Sequence, residues 1–337
     1  GDSSTAIGTF ALYAQTGTDG EAGNTALGYF AGKSLTTGKK NVFIGKNSGD
    51  TTTDVDQSVI IGYGAGGANM TSDADSTVAI GYDALAANTT GHGNVAIGYQ
   101  ALTTNVDGDR NTAVGFEALE TFEADSDGHG KNTAVGYKAG QAVSTGTSNT
   151  IIGSDAGDAL QGGDNNTLVG EGAGGATTAA GDLVIVGQGA GAAVLTTAAN
   201  GSIFIGKGAG AATTSGAKNV AIGNDALSTN IDGDFNTAIG FDALKTFEAD
   251  TDGHGGNTAV GYAAGTAVST GTGNTIMGAL AGDALQGGDN NVIIGTSAGT
   301  ATTAGSDNVI IGVSAGSANM TSDADGSVFI GKSAGAA

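Results

Sequence analysis

Paired aspartates at a fixed spacing are the residues of this chain best suited to chemistry. Segments 121–130 and 246–255 read TFEADSDGHG and TFEADTDGHG, and each contains the pattern Asp-x-Asp-Gly. Carboxylates at this spacing beside a turn offer the oxygen ligands that Ca²⁺ prefers. The distal bidentate Glu of a complete calcium loop is missing, so solvated acidic turns are the alternative interpretation. The sequence therefore predicts calcium binding, if any, at Asp125, Asp127, Asp250 and Asp252.

Two other groups of polar residues accompany these segments. Asp-Gly-Asp turns occur one repeat earlier in the chain, and all three histidines lie in Gly-His-Gly: the residues are Asp107, Asp109, Asp232, Asp234, His92, His129 and His254. In a threefold assembly, three copies of one histidine would gather around a metal or an anion. Exposed loop histidines without a role are the alternative.

Composition argues against an enzyme and against several kinds of partner. The chain has three His, no Cys, no Ser-His-Asp arrangement and no Walker loop, so no catalysis and no resident cofactor are expected. The formal net charge of −22 opposes binding to nucleic acid and to anionic membranes. No apolar stretch approaches the roughly 20 residues of a membrane-spanning helix, so no membrane insertion is expected.

A short period organises the elements that must position these residues. The motif Asn-Thr/Val-x-Ile/Val-Gly-x-x-Ala-Gly/Leu recurs nineteen times, most often at a spacing of 17 residues, with insertions of two to four residues at set places. Its glycines are Gly8, Gly28, Gly45, Gly62, Gly81, Gly98, Gly115, Gly136, Gly153, Gly170, Gly187, Gly206, Gly223, Gly240, Gly261, Gly278, Gly295, Gly312 and Gly331. Positions below are counted from this motif glycine, and one repeat is called a coil.

A longer repeat lies above the coil. Residues 82–206 and 207–331 are tandem super-repeats of 125 residues, as the recurrence of DALQGGDNN at 158–166 and 283–291 illustrates. A 17-residue unit is too short for a helix pair and suits one coil of a β-solenoid: a short strand, a turn, a second short extended piece and a turn. We therefore expect an all-β parallel β-solenoid of about 19 coils, with residues 1–337 forming a single fibre segment.

The strand positions predict how each coil packs. Position −4 is Asn in thirteen coils, which predicts a ladder of side-chain hydrogen bonds or a cap on the turn entering the strand. Positions −3 and −1 share one strand face and position −2 lies on the other, and all three are mostly apolar. A strand apolar on both faces is buried on both. Because one thin coil covers only one face, the other predicts contact with identical chains around a rotation axis.

Two further regularities concern side-chain volume and aromatic residues. The six coils with Leu at +4 have Ala at −2, the ten with a bulky −2 residue have Gly at +4, and three pair Ala with Gly. Close packing then predicts that −2 and +4 share one interior layer, and descent from two parental coils is the alternative.

Position +3, nearly always Ala, predicts a close backbone approach. Tyr or Phe at +1 in eight coils predicts either packing over neighbouring coils or a sugar-stacking ladder.

The motif resembles a known family of surface fibres. The segments NTAVGYKAG (132–140), NVAIGYQAL (94–102) and SVFIGKSAG (327–335) are similar to head repeats of YadA-like trimeric autotransporter adhesins and to repeats of phage tail fibres. The resemblance covers essentially the whole chain. It implies a homotrimer of left-handed parallel β-rolls that attaches to a host surface. The longer coil and Ala rather than Ser at +3 depart from the adhesin heads.

Three functions remain as hypotheses. The first is an extracellular phage tail-fibre shaft that spaces and displays elements for attachment to a host receptor or glycan. The second is a bacterial adhesin head whose outer face binds matrix or glycan. The third, an ice-binding solenoid, requires a flat threonine array in register, whereas the Thr-Thr pairs begin at different positions: Thr103, Thr177 and Thr36.

Overall fold

The protein is an all-β structure made of short parallel strands. The computed structural model describes residues 3–16, 22–123, 129–248, 254–318, 320 and 324–336. It divides into two compact units, Gly1–Asn165 and Asn166–Ala337. The super-repeats 82–206 and 207–331 do not coincide with these units, and they stay a prediction about organisation from the sequence.

Each unit contains one three-residue strand per coil. In the first unit the strands are β1 (Thr5–Ile7), β2 (Thr25–Leu27), β3 (Val42–Ile44), β4 (Val59–Ile61), β5 (Val78–Ile80), β6 (Val95–Ile97), β7 (Thr112–Val114), β8 (Thr133–Val135) and β9 (Thr150–Ile152). In the second they are β10 (Thr167–Val169), β11 (Val184–Val186), β12 (Ile203–Ile205), β13 (Val220–Ile222), β14 (Thr237–Ile239), β15 (Thr258–Val260), β16 (Thr275–Met277), β17 (Val292–Ile294), β18 (Val309–Ile311) and β19 (Val328–Ile330). The described residues also form two single 3-10 turns, Ser72–Ala74 and Thr197–Ala199.

Within each unit, successive strands pair in parallel and in register. In β5 and β6, for example, Val78, Ala79 and Ile80 pair with the residues 17 positions later. The motif glycine that follows each strand is required by a close backbone approach. Gly278 has φ +132°, and an added Cβ would lie 2.7 Å from the carbonyl oxygen of Gly295 in the next coil. The predicted parallel β-solenoid with a 17-residue period is confirmed.

The predicted turn follows each strand. Residues +1 to +4 form turns, because positions +2 and +4 have left-handed backbone conformations that interrupt an extended chain. In one coil these are Lys138 with φ 54° and Gly140 with φ 60°. Their N–H groups still bind neighbouring coils: Lys138 donates to the Phe116 carbonyl at 2.8 Å, and Gly140 donates to the Ala156 carbonyl at 2.9 Å. Each coil has one strand. In the described residues the predicted second extended piece is not a strand and pairs only as two isolated parallel bridges, Asp109 with Gly130 and Asp234 with Gly255.

A buried ladder of asparagines runs beside the strands, as the recurrence of Asn at −4 predicts. Asn274 is buried; its Oδ1 accepts the N–H of Asn291 at 2.9 Å, and its N–H donates to Asn257 Oδ1 at 3.0 Å. Its Nδ2 also donates to the Gly288 carbonyl at 2.8 Å, which fastens the following turn. The amide thus satisfies backbone groups that burial would otherwise leave unpaired.

The interior contains the side chains at −2, +3 and +4, and the prediction that −2 and +4 share a layer is confirmed. An added Cβ at Gly66 would lie 3.0 Å from Cδ1 of Ile60, the −2 residue of the same coil. The layer also extends backwards by one coil, because a Cβ at Gly140 would lie 2.9 Å from Cδ1 of Ile151 in the next coil. Gly140 also faces Leu119 Cδ2 of the preceding coil, at 3.1 Å from that Cβ.

This backward reach explains the three coils that pair Ala with Gly. In each of them the preceding coil has Leu at +4 and the following coil has a bulky −2 residue. Since both side chains lean into the intervening layer, the +4 position there has room for no side chain. The three glycines concerned are Gly32, Gly140 and Gly265.

Candidate functional site

The outer strand face, defined as positions −3, −1 and +1, carries partly exposed apolar side chains. The −2 side chains of the strands are almost all buried, whereas the −3 and −1 side chains on the other face are only partly covered. Ile97, Val135 and Ile152 of the first unit are 36%, 37% and 39% exposed, and Met277 of the second is 46% exposed. The predicted division of the strand into two apolar faces is therefore confirmed, and one of them lies open in the single chain.

Aromatic rings form a column along this face in the first unit. Tyr63, Tyr82, Tyr99, Phe116 and Tyr137 follow one another at +1, and neighbouring ring centroids are 5.3, 5.2, 4.9 and 5.5 Å apart. Their planes are within 17° of parallel. The rings thus turn their faces to each other and their edges outward, which confirms packing over neighbouring coils. The face of an inner ring is not available for a sugar to stack on.

The four aspartates predicted to bind calcium lie outside the described residues: Asp125, Asp127, Asp250 and Asp252. The carboxylates beside them are described. Desolvation, and then the negative charge of Asp107, raise the pKa of Glu123. Oδ1 of Asp107 is buried without a hydrogen-bond partner among the described residues. In the second unit, desolvation and then Asp232 likewise raise the pKa of Glu248. Sequence reasoning missed both glutamates, although they stand at the same position of equivalent coils.

The second aspartate of each Asp-Gly-Asp turn has a structural partner. Asp109 Oδ1 accepts the backbone N–H of His92 in the preceding coil at 2.9 Å. Asp234 Oδ1 accepts the backbone N–H of Ala217 at 2.6 Å. These carboxylates tie one coil to the next, in a role that the sequence reasoning did not assign.

His92 is held by two side chains of its own chain. Its Nδ1 lies 2.9 Å from Asp109 Oδ2, and its Nε2 lies 2.9 Å from Arg110 Nη2. Because guanidinium only donates, Nε2 is the acceptor and the proton of a neutral ring is on Nδ1. The carbonyls of His129 and His254 accept the N–H groups of Asp109 and Asp234.

The threonines of the Thr-Thr pairs in the first unit are bound to the backbone, and the threonines in register at −3 share the outer strand face with apolar residues. Thr36 Oγ1 donates to the Thr53 carbonyl at 2.9 Å, and Thr89 Oγ1 donates to the Val106 carbonyl at 3.4 Å. Thr177 of the second unit is buried. Hydroxyls that donate to backbone carbonyls do not form the flat exposed array that an ice-binding solenoid requires.

The described part of the chain contains neither a metal cluster nor a membrane-spanning helix. Within the described ranges, no three His, Cys, Asp or Glu side chains are grouped closely enough to hold a metal ion. The same part of the chain contains no helix with the length and apolar character to cross a bilayer. No protein-family model matches the chain, and a search of curated proteins found no match.

Proposed function

We propose that the chain is a structural segment of an extracellular attachment fibre, a homotrimer joined through the outer strand face. The observation that supports this proposal is the uncovered apolar face itself. Ile97 and Val135 are over one third exposed in the single chain, and the stacked Tyr82, Tyr99 and Phe116 beside them are 40–45% exposed. Such a contiguous apolar surface marks an interaction site in soluble proteins.

The coil-to-coil bonding supports the mechanical part of the proposal. Within each unit every coil contributes strand hydrogen bonds, turn hydrogen bonds and, in most coils, a buried asparagine to its neighbour. A solenoid of this kind resists bending because each deformation strains several parallel ladders at once. The polar corners then remain free to carry elements that contact a host receptor or glycan, while the fibre spaces them.

Sedimentation equilibrium of the wild-type chain and two charged variants tests this proposal. The wild type is expected at three times the chain mass of 32.1 kDa. Ile97→Asp places three carboxylates at one level of the trimer and should shift the protein to smaller species with an unchanged far-UV circular dichroism spectrum. Thr37→Asp, at an exposed position outside the outer strand face, is the matched control and should stay trimeric. A folded wild-type monomer would refute the proposal.

A further inference from the structure

A surface depression in the second unit combines an exposed aromatic ring with polar atoms. It has a volume of about 360 Å³ and is lined by Phe235, His254, Gly255, Gly256, Thr272 and Gly273. This volume lies at the lower end of the range for small-ligand sites, about 300–1,000 Å³. The residues lie at positions −7 to −5 of successive coils, before the strand and outside the outer strand face. We call this feature the Phe235 depression.

Neither packing nor backbone geometry accounts for phenylalanine at this position. Phe235 is 55% exposed and has φ 58°, in the left-handed region that bulky side chains rarely adopt. It is the only apolar residue among the nineteen at position −5, where Gly, Lys, Ser, Asn, Asp, Gln and Arg are found otherwise. The fold imposes the same left-handed backbone at other −5 positions, such as Arg110 with φ 55° and Lys131 with φ 61°, so it is the exposed aromatic ring, and not the backbone, that suggests a function.

The space beside the ring is left open by Gly256, a glycine that packing does not require. An added Cβ at Gly256, which has φ +69°, would meet no atom within 4 Å. The equivalent residue of the first super-repeat is Lys131, which has nearly the same φ of 61°. A side chain is therefore tolerated by the backbone here, and its absence keeps the depression open.

The first super-repeat closes the corresponding corner. Arg110 stands where the second copy has Phe235, and its guanidinium binds His92 at 2.9 Å. Lys131 and Ser148 stand in place of Gly256 and Gly273. The two copies thus provide a natural comparison, in which only the second has both an aromatic ring and an empty neighbouring space.

The polar groups around the ring favour an amphipathic ring as ligand. Lys218 Nζ lies 5.3 Å from the Phe235 ring centroid, on the preceding coil, so the ring already has a cation over it. Thr272 Oγ1 donates to Asp289 Oδ1 at 3.1 Å and can accept a hydrogen bond from a ligand hydroxyl. A pyranose matches both features, because its C–H face packs on the electron-rich aromatic face and its hydroxyls reach the polar rim.

We infer that the Phe235 depression binds one pyranose ring of a host-surface glycan. The inference deepens the proposed attachment function and rests on it for its biological setting. The site itself belongs to one chain, so its binding chemistry does not depend on trimerisation.

Saturation-transfer NMR with methyl β-D-galactopyranoside and methyl β-D-glucopyranoside tests the inference. We expect transfer to at least one glycoside, with a Kd in about the millimolar range. Phe235→Ala should weaken binding about tenfold or more. Gly256→Lys should abolish the signal while thermal stability is retained, because the backbone already accepts Lys131 at the equivalent site. No transfer in the wild type, or transfer that neither substitution changes, would overturn the inference.

A fluorescent variant supplies a second readout. The chain contains no Trp, so Phe235→Trp places a single reporter at the site. Its emission should respond to the glycoside, and the emission of Arg110→Trp, the matched control, should not. A response to tetramethylammonium or p-cresol without any response to a glycoside would also overturn the inference. Sedimentation of the same samples separates the two proposals. A monomer that binds the glycoside would refute the trimeric fibre and support the sugar site, whereas a trimer that binds no glycoside would support the fibre and refute the sugar site.

Discussion

Gly265→Leu is expected to destabilise the second unit by overfilling one interior layer. A Cβ built at Gly265 lies 2.9 Å from Ile276 Cδ1, 3.1 Å from Leu244 Cδ2 and 3.2 Å from Val268 Cγ2. A leucine would add three more carbon atoms to this space. Overpacking of a close-packed interior costs about 1–3 kcal/mol. The backbone itself accepts leucine here, since Leu244 at the same position of the preceding coil has φ 46°.

Gly172→Leu is the matched control for the backbone contribution. Gly172 has the same φ of +60°, lies in the same unit, and an added Cβ would meet no atom within 4 Å. Both substitutions introduce a side chain in the left-handed region, which costs about 1–2 kcal/mol. Urea unfolding followed by far-UV circular dichroism should therefore show Gly265→Leu to be less stable than Gly172→Leu by about 1–3 kcal/mol.

A double-mutant cycle identifies the competing side chain. Ile276→Ala alone should cost about 2–5 kcal/mol through the cavity that it leaves. Combined with Gly265→Leu, it reproduces an arrangement that the chain already uses, in which Leu227 precedes Ala238. The two losses should then fall short of additivity by about 0.5–3 kcal/mol. Additive losses, or equal stability of Gly265→Leu and the control, would refute a layer shared between neighbouring coils.

Three further predictions concern polar groups. Asn274→Ala should cost about 1–3 kcal/mol for each buried hydrogen-bonding group that it leaves unpaired, measured by urea unfolding, and a loss below 1 kcal/mol would contradict the ladder. Burial and then the charge of Asp232 raise the pKa of Glu248, so the folded protein holds this proton more tightly than the unfolded chain does. The ionised carboxylate therefore lowers the free energy of unfolding. This loss of stability is absent below the ordinary carboxyl pKa of about 4.3 and grows as pH rises through the pKa of the folded state. Glu248→Gln should accordingly stabilise the protein at pH 7 and not at pH 4 in thermal unfolding, and equal effects at both values would contradict this. Calorimetric titration with calcium should give heat with a Kd of about 10⁻⁴–10⁻³ M in the wild type and fewer binding sites in Asp125→Asn/Asp127→Asn, which keeps Asp250 and Asp252. No heat in the wild type would mean that these segments are solvated turns.

The strand, its register and its inward residue are predictable from the sequence because they repeat. A glycine that recurs most often at a spacing of 17 residues fixes the register, and alternation within Val78, Ala79 and Ile80 indicates which side chain is buried. The turn half of the coil is not predictable in the same way. Position +2 is occupied by residues as different as Lys, Asp, Gln and Phe, and the residue type of Lys138 does not predict its φ of 54°. Hydrogen bonding to neighbouring coils imposes that conformation against the local preference of the residue.

The pairing of side-chain volumes at −2 and +4 cannot be fully explained within a single coil. Ala paired with Gly in one coil looks like an underfilled layer, and counting within coils leaves Gly140 unexplained. The direction in which a side chain leans along the stack is a property of the folded backbone. Once Ile151 is seen to lean towards the preceding coil and Leu119 towards the following one, the empty position becomes a requirement of packing.

The candidate site was hidden for the opposite reason, because it departs from the repeat instead of obeying it. The −5 backbone is left-handed whether it carries a cation, a phenyl ring or no side chain at all: φ is 55° at Arg110 and 58° at Phe235, and 61° at Lys131 and +69° at Gly256. Some interior residues are identical in the two super-repeats, as Phe122 and Phe247, both buried, illustrate. A side chain at −5 points away from the layers that determine stability, so its chemistry can change without altering the coil. The repeats can therefore display different surfaces on the same backbone, and a site found in one super-repeat need not recur in the other.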